Sequence, residues 1–190
     1  MGSRQIDEYY VSFTKKPNLI FSILFDIFDS VIGAIVAVFF IFCFLLRIVG
    51  VSGSSMVPTL RDNDWVAVKG ITNNIEYGDI VVITQPWERD IPIIKRVIAT
   101  PGQTVDIDFD NGIVSVDGKI LNEPYIAART FTSFDVSFPL TVGENQVFVM
   151  GDNRNESLDS RSSKVGLIRQ DYILGKAVYR LYPDSKKLDK

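Results

Sequence analysis

Three serines stand close together in SGSSMVPTL, residues 52–60, and one lysine, Lys95, sits in the apolar run IPIIKRVIA. A serine hydroxyl becomes a nucleophile when a neighbouring base can take its proton. The chain has no histidine, which excludes a Ser-His-Asp triad and any zinc site that relies on imidazole. Its single cysteine, Cys43, lies inside an apolar run, so there is no disulfide framework and no thiol–imidazole pair. The base for any hydrolytic step must come from Lys, Asp, Glu or Tyr. A lysine serves only when neutral. Its reference pKa is about 10.4, and apolar burial lowers it by about 3–5 units at about 1.4 kcal/mol each. Lys95 is flanked by Ile93, Ile94, Val97 and Ile98, whereas Lys69, Lys119 and the C-terminal lysines sit among turn or polar residues. Each feature alone has a plainer reading, a strand lysine with its head in water and a serine-rich turn.

The serines follow a long uncharged run, Val31–Leu46, VIGAIVAVFFIFCFLL. Extended over 28–49 it has about the 20 residues that span a bilayer. A cleavable secretory signal would carry a short basic segment before the run, but about 30 residues precede it. A buried core helix would not be apolar all round. The expected organisation is a cytoplasmic or interfacial segment over 1–27, a transmembrane anchor over 28–49 and an extracytoplasmic domain over 50–190. Arg4, Lys15 and Lys16 before the span, against Arg47 and Arg61 after it, lean weakly toward a cytoplasmic N-terminus. The segment IFSILFDIF, 20–28, is either an interfacial lead-in or the first turns of the same helix.

Beyond residue 50 the pattern turns to alternation. DWVAVKG, DIVVIT, IPIIKRVIA, TVDIDFD, GIVSVDGK, NQVFVMGD and GKAVYRLYP are short β-branched and aromatic runs bounded by Gly, Asp, Asn and Pro. They predict a mainly β domain built from an antiparallel sheet. The stretch IAARTFTSFDVSFPL, 126–140, reads as an extended excursion. Asp106, Asp108, Asp110 and Asp117 imitate a calcium loop, but the sixth position is Asn111 rather than Gly and the twelfth is Asp rather than Glu. Alternation of the acids with Val105, Ile107 and Phe109, then Asn111-Gly112, predicts a hairpin instead. No metal or other cofactor is implied. A net charge of −3 and a pI near 5.0 argue against a nucleic-acid partner.

The boxes SGSSMVPTL, GDIVV at 78–82, KRVIATPGQTV at 95–105 and GDNRNESLDSR at 151–161, in that order after one N-terminal span, resemble those of bacterial type I signal peptidases. These are membrane-anchored serine proteases with a Ser-Lys dyad, and the short length is similar to the compact Gram-positive form. The resemblance extends to VDGKILNEPY and ILGKAVYRLYP, near Pro183. It implies a β-sheet catalytic domain of the signal peptidase type, acting on signal peptides of secretory preproteins after small residues at −1 and −3. By the same resemblance Ser55 is the nucleophile and Lys95 the general base, with Arg96 beside it. Ser157 would orient the lysine, Asp159 and Arg161 would pair behind the site, and Asp152 and Arg154 would support it. The oxyanion hole would use the Ser55 N–H, while Gly53 stands where some members place a second, hydroxyl donor. Val51, Met56, Leu60, Ile93 and Ile94 would line pockets for small side chains. Membrane lipid is the other implied partner, and oligomeric state is left open. Two other readings compete: a self-cleaving repressor-type Ser-Lys protease, which carries a DNA-binding domain and no span, and an anchored β-domain that binds without catalysis, such as an inactive homologue.

Overall fold

The computed structural model of the protein describes residues 18–44, 46–70, 74–84 and 92–188. The chain divides into two units, Met1–Phe42 and Cys43–Lys190. In the first, helix α1 runs Leu19–Phe44. At 1.5 Å per residue its 26 residues are about 39 Å long, enough to cross a bilayer. Its window Leu19–Ile41 has a mean hydropathy of 2.3 and none of it is buried.

The boundaries differ from those expected. The segment 20–28 belongs to the same helix, which therefore begins nine residues earlier than 28 and takes in Asp26 and Asp29. At the other end, Leu46–Gly50 lie beyond the helix and form strand β1. Leu46 to Gly50 pair residue for residue with Lys69 to Trp65, and this long-range ladder claims a run that composition alone assigns to the span. The N-terminal charges Arg4, Lys15 and Lys16 lie outside the described residues.

The second unit is mainly β and antiparallel. Its strands are β1, β2 (Trp65–Lys69), β3 (Ile80–Ile83), β4 (Ile93–Ala99), β5 (Thr104–Asp108), β6 (Ile113–Val116), β7 (Lys119–Ile120), β8 (Leu140–Thr141), β9 (Gln146–Met150), β10 (Ile168–Arg169), β11 (Ile173–Tyr182) and β12 (Lys186–Lys187). The larger sheet has the order β1-β2-β11-β3-β4-β9-β10, with β12 added to β11, and the smaller is β7-β6-β5-β8. All seven alternating runs form strands.

Period-two alternation decides what each face buries. In β3, Ile80 and Val82 join Val66, Val68 and Ala177 in one apolar cluster, and Val81 and Ile83 join Val97, Val147, Val149 and Ile173 in another. Both faces of the central strands are therefore covered. A third cluster joins Ile98, Phe148 and Met150 of the large sheet to Val105, Ile107, Val114 and Val116 of the small one. The 126–140 excursion has no strand before Leu140, yet Arg161 and Asn155 bond its backbone at Thr132 and Phe131.

Candidate active site

The turn after β1 presents its serines unequally: Ser52 and Ser54 are exposed and Ser55 is half-buried. Residue 53 is glycine because its φ is +90°, a conformation other residues rarely adopt. From β4, Lys95 Nζ donates to Ser55 Oγ at 2.7 Å and to the Ile94 carbonyl at 3.2 Å. Lys95 is only 4% exposed. Burial pulls its ammonium down from 10.5 to about 8, against the nearby Asp159 and Asp152 carboxylates, which favour the charged form. Among lysines this is a strong departure, and it leaves roughly a tenth of the side chains neutral at pH 7.

The charges behind this pair are buried and matched. Arg96 donates Nε to Asp152 Oδ1 and Nη2 to Asp152 Oδ2, both at 2.8 Å, and Nη1 to the Gly78 carbonyl. Its guanidinium lies 3.9 Å from the Tyr125 ring centroid. Arg161 binds Asp159 through Nε and Nη2 at 2.8 and 3.0 Å, and Asp159 Oδ2 also accepts the Gly151 N–H. Arg154 pairs with Glu123 and donates to Thr130 Oγ1. Burial first, then Glu123 and the Tyr77 hydroxyl, pushes the Tyr125 phenol above its ordinary 10, which makes it a hydroxyl rather than a base.

Three expectations need correction. Ser157 Oγ is buried but has no hydrogen-bond partner among the described residues, so it does not hold Lys95. Its hydroxyl packs over Gly151, where a Cβ would collide with both it and the Ser55 carbonyl. The Gly53 N–H is bonded to Asp62 Oδ1 at 2.8 Å, which removes it as an oxyanion donor, while among the described residues the Ser55 N–H meets no acceptor. Finally, the five pocket residues do not act together. Val51, Met56, Leu60 and Ile94 share one cluster, but the pleat of β4 sends Ile93 to the opposite one. Met56 and Leu60, at 1% and 0% exposure, have no surface to offer.

Residues 24–182 match the family model described as Signal peptidase, peptidase S26. The chain belongs to that family. This S26 chain is 38% identical over 146 residues, 72% of itself and 71% of the relative, to the "Probable signal peptidase I-1" of Synechocystis. It is 34% identical over 165 residues, 81% of itself and 86% of the relative, to the signal peptidase I S of Bacillus subtilis. A solved signal peptidase I from Enterococcus faecalis is 26% identical, with a TM-score of 0.41, covering 55% of this chain and 97% of that one; that likeness is too slight to argue a fold from.

Several residues of this S26 site carry no signal of their own in the sequence. The Asn153 N–H donates to the Ser55 carbonyl at 3.0 Å and its Nδ2 to the Ser54 carbonyl. Thr59 Oγ1 donates to Asp152 Oδ2. Both lie inside boxes named above, but nothing local marks them as partners. Glu123 and Tyr125 lie in NEPY, where a turn is the obvious reading.

Proposed function

We propose that the chain is a membrane-anchored serine endopeptidase that removes N-terminal signal peptides from secretory preproteins, with Ser55 as nucleophile and Lys95 as general base. The observation that carries this reading is the 2.7 Å contact between Nζ and Oγ at a lysine that burial has brought down to about 8. In its neutral form Lys95 accepts the Ser55 proton as Oγ attacks the scissile carbonyl. The protonated amine then gives that proton to the leaving amine, and the peptide bond breaks to leave an acyl-enzyme. Lys95, neutral again, takes a proton from water as the water oxygen attacks the acyl carbonyl; the acyl–Oγ bond then breaks and the ammonium returns the proton to Ser55 Oγ. The Ser55 N–H is one donor to the developing oxyanion. Small side chains at −1 and −3 would rest against Val51 and Ile94, the members of the cluster that keep 6% and 9% exposure. The apolar helix supports anchoring in a membrane; in the same proposal the helix lies in the cell membrane among lipid, with the N-terminus in the cytoplasm and the β unit outside.

The test is cleavage of a preprotein whose signal ends in Ala-x-Ala, by full-length protein in detergent, read on a gel. Wild type cleaves it. Ser55→Ala and Lys95→Arg each lose at least about a thousandfold in rate, since guanidinium does not deprotonate, whereas Ser54→Ala cleaves normally. Turnover by Lys95→Arg at the wild-type rate sinks the base assignment. Matching behaviour of the two serine variants sinks the choice of Ser55, and no cleavage by wild type favours a binding module.

A further inference from the structure

We propose that Thr59 is a positioning residue for this peptidase, its hydroxyl fixing the Ser55 turn against the Lys95 strand through Asp152. The proposal rests on the Ser55–Lys95 reading and deepens it. Thr59 stands four residues after Ser55, and its Oγ1 donates to Asp152 Oδ2 at 2.5 Å across 93 residues of sequence. The same carboxylate takes both of its charged hydrogen bonds from Arg96, the residue next to Lys95. A closed ring results: Ser55 to Thr59 along the chain, Thr59 to Asp152 to Arg96 through side chains, Arg96 to Lys95 along β4, and Lys95 Nζ back to Ser55 Oγ.

Other contacts hold the remaining corners. The Thr59 carbonyl accepts Arg180 Nη1 of β11 at 3.4 Å, and Leu60, with 0% exposure, is sunk in the adjacent apolar cluster. On the near side of the turn, Asn153 bonds the Ser54 and Ser55 carbonyls. The neighbours Asp152 and Asn153 thus grip the two legs of the nucleophile turn. Of these links, the Thr59 hydroxyl is the one that can be deleted with shape kept and no charge orphaned, because Asp152 retains Arg96. A serine–lysine pair needs its reacting atoms aligned at hydrogen-bond distance, and a displacement of about 1 Å can cost about a hundredfold in rate.

The experiment measures kcat and KM on the Ala-x-Ala preprotein for full-length Thr59→Val and Thr59→Ser in detergent, with unfolding followed by circular dichroism. Thr59→Val should lower kcat by about tenfold to a hundredfold with KM unchanged, and Thr59→Ser should restore most of it. The proposal is overturned if kcat per folded molecule is unchanged in Thr59→Val, if KM rises instead, or if Thr59→Ser fails to rescue. Ser55→Ala and Lys95→Arg run alongside separate the two claims. If they are dead while Thr59→Val is normal, only the positioning role falls; if they are active, the dyad itself falls.

Discussion

The strip Gly151–Arg161 and the hairpin from Asp106 to Asp117 use similar letters and reach opposite states. Each is dense in acids and turn-formers, and each joins or follows strands of the same β unit. In the strip, Asp152, Arg154, Ser157, Asp159 and Arg161 are all at 2% exposure or below. In the hairpin, Val105, Ile107, Val114 and Val116 are buried while the acids face water. The difference lies in the company each acid keeps. Hairpin acids alternate with apolar residues, so the pleat that buries one set exposes the other. The two buried strip acids, Asp152 and Asp159, are paired with Arg96 and Arg161, and a charge enters a protein interior only when it is paired and hydrogen-bonded.

The comparison breaks most visibly if a strip charge is orphaned. Arg161→Ala leaves the Asp159 carboxylate buried with only two backbone donors, the N–H groups of Gly151 and of residue 161, and removes donors to the Thr132 and Ser157 carbonyls. Loss of one partner of a buried pair costs about 3–5 kcal/mol, so urea denaturation of the full-length protein should show a midpoint far below wild type. A midpoint near wild type would mean that the strip is no more structural than the hairpin.

Next in size is Lys95 of β4, a buried cation with no ion pair among the described residues. Lys95 has a folded pKa of about 8 against 10.5 for the free side chain. Because the folded value is depressed for a base, folding is penalised wherever the amine is charged in the unfolded chain but disfavoured in the native one. That penalty is fully present below pH 8, fades between 8 and 10.5 and is absent above. Its size is about 3 kcal/mol. Lys95→Met should therefore gain most on wild type near pH 7, and the advantage should shrink by that amount as pH rises past 10. A constant difference across that range would show that Lys95 is not held near neutrality. Its catalytic counterpart is a wild-type kcat/KM that climbs through pH 8.

How legible these regions are follows from range. The seven long strands announce themselves because each carries enough alternating residues to set a face. Strand β1 does not, since Leu46 to Gly50 continue an apolar run and only their ladder with β2 reveals a strand. The two-residue strands β7, β8, β10 and β12 are too short to alternate. Lys95 stands out by its flanking isoleucines, but its partner lies 40 residues away, and family resemblance rather than residue pattern points to Ser55. The Glu123–Arg154 and Thr59–Asp152 contacts span 31 and 93 residues with no periodicity to betray them. Ser157 shows the converse, a residue marked by its box whose hydroxyl is buried without the expected contact.

The smallest effect belongs to the hairpin. Asp108 Oδ1 accepts the N–H groups of Asp110 and Asn111, and its Oδ2 accepts Asn111 Nδ2, so its carboxylate closes the turn that leads into Gly112 at φ +68°. The Asn111 side chain, then its N–H, holds the Asp108 carboxyl below its ordinary 3.8. A depressed carboxylate stabilises the fold above the unfolded pKa and stops doing so as pH falls through the folded one. Asp108→Ala should lower the unfolding midpoint slightly at neutral pH, by far less than Arg161→Ala does, and the gap should close on acidification below 3.8. Cleavage should stay within about twofold of wild type, as for surface substitutions in general. If Asp108→Ala instead abolished cleavage, the two acid-rich stretches would be functionally alike, and the division between a paired interior and a solvated turn would have to be redrawn.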